Sequence, residues 1–323
     1  MEGTQRLDGR YRLERRIAVG GASEVWRGHD ETLGRPVAVK VIVCADDESE
    51  VSTDELVLAE ARSVAALAHP NIAEVFDIGV WRTPEGTALR YIVMEFAEGA
   101  TLAQHLRAGP LDWRIAVRVC AEVSAALAAA HLAGLVHRDV KPGNVILTPY
   151  GAKVLDFGIS IMVGSHDRLS DGTIVGTPAF MPPERFRGLP AAPATDMYAL
   201  GVLLYLCLAG RLPFPPQLLP GRRIAPPVVG PARLPAIPDL PVEVAEVCLS
   251  CLDPDPDQRP SSFAAALLLA EAVDARVQLP PLAPPPPVDD SAQRLSPWTQ
   301  EAAEANTEVA DESEHDVVGR HRA

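Results

Sequence analysis

Lysine is almost missing from this chain of 323 residues: Lys40, Lys141 and Lys153 are the only three among 29 basic side chains. Each is therefore worth locating. Basic charge as a whole is outnumbered by 43 acidic residues, and the formal net charge of −14 argues against nucleic acid or an anionic membrane as the main partner. Both would want a broad basic face. Cysteine is also sparse, and the five present (Cys44, Cys120, Cys207, Cys248, Cys251) are an odd number in apolar context. That excludes a disulfide-held miniprotein and fits thiols in a reducing compartment. Long apolar runs are missing too: Ala121 to Val136 and Tyr198 to Gly210 fall short of the roughly 18 to 20 residues a membrane span requires. The polar start MEGTQRLDGRYRLERR lacks the apolar run a secretory leader needs, so none is expected there. These absences read as a cytoplasmic protein with no membrane partner.

What is present is 34.5 kDa of chain, 47% apolar, enough for a large core without staples. From Tyr11 to Ile92 short β-favouring runs alternate with Gly, Asp-Glu and Arg-Pro turns, interrupted by one helical stretch from Asp54 to Leu67. From Thr101 onward helices dominate: Thr101 to Ala108, Asp112 to Gly134, Ala194 to Ala209, Val242 to Leu252 and Ser261 to Val273. A small β-rich part before a larger helical part predicts an α+β fold of two lobes and a cleft. The Pro-dense stretch from Arg211 to Pro241 should be an irregular excursion. Residues 276–323 turn Pro-rich and then acidic, the composition of a disordered tail. Its Pro284 to Pro287 run reads as a stiff linker, with a ligand for an SH3-like partner as the alternative.

Two segments carry the chemistry: His-Arg-Asp-Val-Lys-Pro-Gly-Asn from His137 to Asn144, and Asp-Phe-Gly from Asp156 to Gly158. With them the chain resembles the protein kinase superfamily, and more closely the eukaryotic-like serine/threonine kinases of bacteria. The resemblance covers roughly Tyr11 to Val273. It implies a bilobal kinase-like fold with an N-lobe over 11–97, a C-lobe over 98–275 and a tail over 276–323. It implies transfer of the ATP γ-phosphoryl group to Ser or Thr hydroxyls of proteins, with magnesium, or manganese in its place, as the ion.

Residue by residue, the resemblance assigns Asp139 to orienting the acceptor hydroxyl and taking its proton, and Lys141 to neutralising the transferring phosphoryl group. Asn144 and Asp156 would hold the metal, as hard oxygen donors suit it. Lys40, in Val-Ala-Val-Lys, would pair ATP phosphates and the helical Glu60, although Glu55 lies on the same helix. The loop Ala18, Val19, Gly20, Gly21, Ala22, Ser23 would cradle phosphates, with Ala18 and Ser23 standing where the family has its first and third glycines. Ala18 lacks glycine's freedom at positive φ, so altered loop geometry is expected there. Val25, Ala38 and Ile146 would sandwich adenine, with Met94 as gatekeeper and backbone groups of Glu95 and Ala97 bonding its edge. Lys153 reads as a solvated strand residue.

Regulation is expected at Arg138, which in related kinases meets a phosphorylated activation-loop residue. Ser170, Thr173 and Thr177 are the loop hydroxyls, Thr173 being the preferred phosphosite and Thr177 resembling the threonine that touches the catalytic Asp and Lys. Asp171 stands where bacterial relatives often carry a phosphorylatable threonine, as a fixed charge or simply a solvated aspartate. Self-phosphorylation leaves room for a dimer. Glu184 should pair with Arg259, and Asp196 should accept N–H bonds from the His137–Arg138 turn. Cys248 and Cys251 are read as thiols rather than zinc ligands, and His131 as a packed histidine. The rival readings are a nucleotide-binding scaffold without catalysis and a kinase of small molecules.

Overall fold

Side-chain alternation organises the first sheet. In the computed structural model, which describes residues 6–20, 23–43, 64–83, 86–157, 177–214 and 230–280, six antiparallel strands lie in the order β1-β2-β3-β4-β6-β5. They are β1 (Arg6–Leu7), β2 (Tyr11–Val19), β3 (Ser23–Asp30), β4 (Arg35–Val43), β5 (Val75–Arg82) and β6 (Ala88–Glu95). Strand β4 sends Val37, Val39 and Val41 to one face, where they join Leu7, Tyr11, Leu13, Leu89, Tyr91 and Val93 in a buried cluster. Its alternate residues Ala38 and Ile42 join Ile92 and Met94 on the other face. Strand β1 precedes the expected start at Tyr11, and its Leu7 is fully buried. The β3–β4 turn is held by Asp30, which accepts the Arg10 fork at 2.9 and 2.7 Å and the N–H groups of Thr32 and Leu33. The Arg10 guanidinium holds that carboxyl down to about 2.

Helices take over after β7 (Ala100–Thr101), which pairs with β8 (Val145–Thr148) and through it with β9 (Gly151–Val154). Gly99 allows that pairing, since a Cβ there would sit 2.1 Å from the Leu147 carbonyl oxygen. Helix α1 (Leu102–His105) opens on a capping box between Thr101 and Gln104 and continues as a 3₁₀ turn to Ala108. Asp112 caps α2 (Trp113–Leu132) and Ser261 caps α6 (Ser262–Glu271), each through a side chain accepting a first-turn N–H. Between them come α3 (Pro183–Phe186), α4 (Pro193–Ala209) and α5 (Val242–Cys251). The predicted helices therefore stand to within a residue or two at most ends. The described parts of the Pro-dense stretch, 211–214 and 230–241, hold neither helix nor strand.

Helix α2 is the axis of the C-lobe. Contrary to the expectation that no apolar run is long enough to span a membrane, its 20 residues carry an 18-residue window of mean hydropathy 1.5, enough by length and composition to cross one, and 72% of that window is buried inside the protein. Buried alanines at 116, 121, 125, 126 and 130 let α4 and α6 pack close. Gly201 of α4 meets α5 where a Cβ would fall 2.7 Å from that of Cys251. Cys120, Cys207, Cys248 and Cys251 are free thiols buried in this core. Among the described residues no cluster of three His, Cys, Asp or Glu could hold a metal. Gly21, Ala22, Cys44, most of the stretch 54–67 expected to be helical, with Glu60, the stretch with Ser170, Asp171 and Thr173, and residues 281–323 lie outside the described residues.

Candidate active site

The catalytic segment is an irregular stretch between α2 and β8, so its shape must come from side chains that tie it down. Arg138 adopts φ of 70° and Asp156 φ of 63°, in the left-handed region that costs a non-glycine residue on the order of 1 kcal/mol. Asp196, fully buried at the start of α4, accepts the backbone N–H groups of His137 and Arg138 at 2.8 Å each. His131 completes that anchor, bonding Asp196 through Nε2 and Ser262 through Nδ1, both at 2.9 Å. His137 accepts the Asp139 N–H at Nδ1, so its Nε2–H donates to the Leu155 carbonyl, and its ring meets Phe157 edge-on at 4.6 Å. These bonds fix the two aspartate-bearing turns against each other.

Asp139 is the convergence point. Its Oδ1 accepts from the Thr177 hydroxyl at 3.0 Å, and its Oδ2 takes the Lys141 ammonium and Asn144 Nδ2. Lys141 Nζ donates in turn to Thr177 Oγ1 at 3.0 Å, closing an Asp-Lys-Thr triangle. Thr177, grouped with the loop hydroxyls but expected to touch Asp139 and Lys141, makes both contacts. Asn144 also donates to the Asp139 carbonyl at 2.8 Å, so its amide nitrogen faces Asp139 and its amide oxygen is the atom left for a cation.

The cleft face of the first sheet is read from its register. Val25 pairs with Lys40 and Lys40 with Ile92, while Ala38 pairs with Met94, so all five side chains lie on one face. Lys40 shows which way that face looks: its Nζ reaches Asp156 Oδ2 of the C-lobe at 3.0 Å. Ala38, Met94 and Ala97 are buried, and Ile146 lies in β8 on the C-lobe. The Ala97 N–H, past the end of β6, bonds nothing among the described residues. An apolar slot with one unpartnered backbone donor, next to a lysine, two carboxylates and an amide oxygen, fits a flat base, its phosphates and a divalent cation.

Two expectations need correction. Ala18 lies in β2 paired with Val25, an extended conformation any residue adopts, so the missing glycine imposes no backbone cost there. Gly20 and Ser23 close the loop beyond it through a 2.7 Å bond. Lys153 is not solvated: it is half-buried and its ammonium reaches Glu95 Oε2 at 2.6 Å, from β9 to the end of β6. Glu95, expected to offer backbone bonds to adenine, is an ion-pair partner through its side chain. Sequence reasoning also passed over His69 and Asn71, buried polar residues ahead of β5: His69 accepts the Asn71 N–H, and Asn71 bonds the Ala152 carbonyl of β9. The His-Pro-Asn turn itself was the available signal.

Farther out, Glu184 and Arg259 form the expected buried fork, at 2.6 and 2.9 Å, whose breakage should cost about 3 to 5 kcal/mol. Arg138 has a buried Nε with no partner among the described residues. It lines a cleft shared with Asp139, Thr177, Phe180, Met181 and Pro182.

Comparison with known proteins agrees with this geometry. The protein kinase domain family matches residues 11–271. The serine/threonine-protein kinase PknA of Mycobacterium tuberculosis (strain ATCC 25618 / H37Rv) is 41% identical over 292 residues, 87% of this chain and 65% of that protein. PknL of the same strain is 42% identical over 215 residues, 64% of this chain and 51% of that one. The probable serine/threonine-protein kinase pknA2 of Bifidobacterium longum is 36% identical over 217 residues, covering 66% and 28%. The chain spans about two thirds or less of the length of these relatives. With the Asp139 triangle and the Lys40–Asp156 pair in place, the chain belongs to the protein kinase superfamily, among the serine/threonine kinases of bacteria.

Proposed function

We propose that the chain transfers the γ-phosphoryl group of ATP to Ser or Thr hydroxyls of proteins. The observation that carries the proposal is the triangle of Asp139, Lys141 and Thr177, with Asn144 on the same carboxylate. Asp139, held by three donors, is fixed in orientation, so it can line up an acceptor hydroxyl and take its proton as the new P–O bond forms and the bond to ADP breaks. Lys141 sits beside that carboxylate and offsets negative charge as it builds on the phosphoryl oxygens. Lys40 positions phosphates from the opposite lobe. Magnesium or manganese, held by Asn144 and Asp156, would supply further charge neutralisation there.

The finer assignments rest on the same site. Arg138, with its unpartnered Nε, is suited to a phosphate on the activation loop, and Thr173 is the hydroxyl we assign to it. The loop would be phosphorylated by a second copy, and the Pro-rich tail is a linker with an SH3-like partner as the alternative. A reducing, cytoplasmic setting is supported by four described cysteines that are all free.

The test is incubation of the full chain with Mg-ATP and a generic protein acceptor, beside Asp139→Asn. Wild type should label itself at Thr173 or its neighbours, and the variant should lose at least about a hundredfold in rate. Equal labelling of both proteins, or of neither, would overturn the proposal.

A further inference from the structure

Beyond α6, residues 272–280 fold back along the protein. The Ala275 N–H turns back to the Ala270 carbonyl at 2.9 Å, and Val277 packs on the C-lobe core. One residue later the Gln278 carbonyl lies 2.8 Å from His69 Nε2, across 209 positions of sequence. A carbonyl can only accept, so His69 carries its hydrogen on Nε2. Its Nδ1 is then free to accept the Asn71 N–H, which it does at 3.1 Å. Burial keeps the imidazole below its ordinary range, despite the carbonyl and with the Lys153 charge adding to the effect, so the neutral form is the one present.

Asn71 hands this fixed geometry to β9. Its Nδ2 donates to the Ala152 carbonyl and its own carbonyl accepts the Val154 N–H, each at 2.8 Å, while the Ala73 N–H returns to the Val154 carbonyl at 3.0 Å. Val154 is two residues from Asp156. The Leu155 N–H between them donates to the Asn144 carbonyl at 2.8 Å, so the chain of bonds ends on the backbone of one candidate metal-binding residue, Asn144, and one residue short of the other, Asp156. On the other side, Lys153 carries the same strand to Glu95 at the end of β6, and the Glu95 N–H donates to the Glu74 carbonyl at 2.8 Å.

We propose that residues 275–280 are a strap that positions the phosphoryl-transfer site: the Gln278 carbonyl locks His69, and His69 acts through Asn71 and β9 on the placement of Asp156 and Asn144. The strap lies outside the family match, which ends at residue 271. Because it acts through a main-chain carbonyl, with the Gln278 side chain exposed, no side-chain motif advertises it. The proposal rests on the kinase reading for its consequence in rate, but not for its consequence in structure.

Three full-length variants separate the contacts. His69→Asn keeps an acceptor near Nδ1 for the Asn71 N–H but is too short to reach Gln278. His69→Gln places an amide N–H near the Nε2 position and should restore that reach. Val277→Asp unseats the strap without touching His69. Loss of one hydrogen bond corresponds to a change of about fivefold. Accordingly, His69→Asn and Val277→Asp should lower kcat about fivefold with KM for the acceptor unchanged, and His69→Gln should recover most of the loss. Amide exchange at Val154 and Leu155 should quicken by a similar factor in the first two variants, with amides of α2 unaffected. The proposal is overturned if His69→Asn exchanges and turns over like wild type, if His69→Gln is as impaired as His69→Asn, or if α2 loosens equally. If wild type transfers no phosphate at all, the kinase reading fails and the exchange comparison alone decides the strap.

Discussion

Thr177 does two jobs with one oxygen, donating to Asp139 Oδ1 and accepting from Lys141 Nζ, both at 3.0 Å. Without it Lys141 would keep only Asp139, and the carboxylate would be held through Oδ2 alone, by Lys141 and Asn144, with Oδ1 untied. Thr177→Val, similar in shape but lacking the hydroxyl, should lower kcat about tenfold with KM for ATP little changed. Thr177→Ser should stay near wild type, and steady-state kinetics on the three proteins checks both statements. At this scale the motifs in the sequence were good guides, because each residue of the triangle falls within a short, ordered pattern. Lys153 was misjudged for the converse reason: its partner Glu95 lies 58 positions away, and nothing local to Lys-Val-Leu-Asp-Phe hints at it.

Elements meet here through small residues as much as through large ones. Strand β7 can join β8 only because Gly99 carries no side chain, the Leu147 carbonyl occupying the space a methyl would need. Gly99→Ala should therefore push β7 and β8 apart and lower the melting temperature by roughly 5 to 10 °C, measured by scanning calorimetry against wild type. Helix ends were legible in advance because their caps are local: Asp112, Thr101 and Ser261 each bond an N–H two or three residues on. The strand β1 and the wrap of residues 275–280 were not legible. Two residues are too short to show alternation, and a main-chain contact leaves no trace in residue type.

The molecule has one apolar cluster behind the first sheet and one around α2, with Lys40 and Asp156 meeting between them. A ligand gripping both sides should stabilise the whole fold. Saturation with Mg-ATP at about 100 times its Kd should add about 2.7 kcal/mol, read as a rise in melting temperature. Removal of the ion with EDTA should shrink that rise, and Asp156→Asn should make it insensitive to EDTA. An unchanged melting temperature with and without the ion would contradict the donor set assigned here. The bilobal plan was predictable from patterning along the chain, since β-favouring runs end near Ile92 and helical periodicity begins at Thr101. The closure of one lobe on the other was not, because it depends on pairs such as Lys40 and Asp156, 116 positions apart.

The four thiols inside the C-lobe have a practical consequence. Cys120 on α2, Cys207 on α4, and Cys248 and Cys251 on α5 are closed off from solvent, and burial pushes the last two thiols up, away from the reactive thiolate. An alkylating reagent reaches them only when the helices around α2 separate. Their rate of labelling is therefore a built-in clock for opening of the C-lobe, readable by mass in the unmodified protein without an added probe.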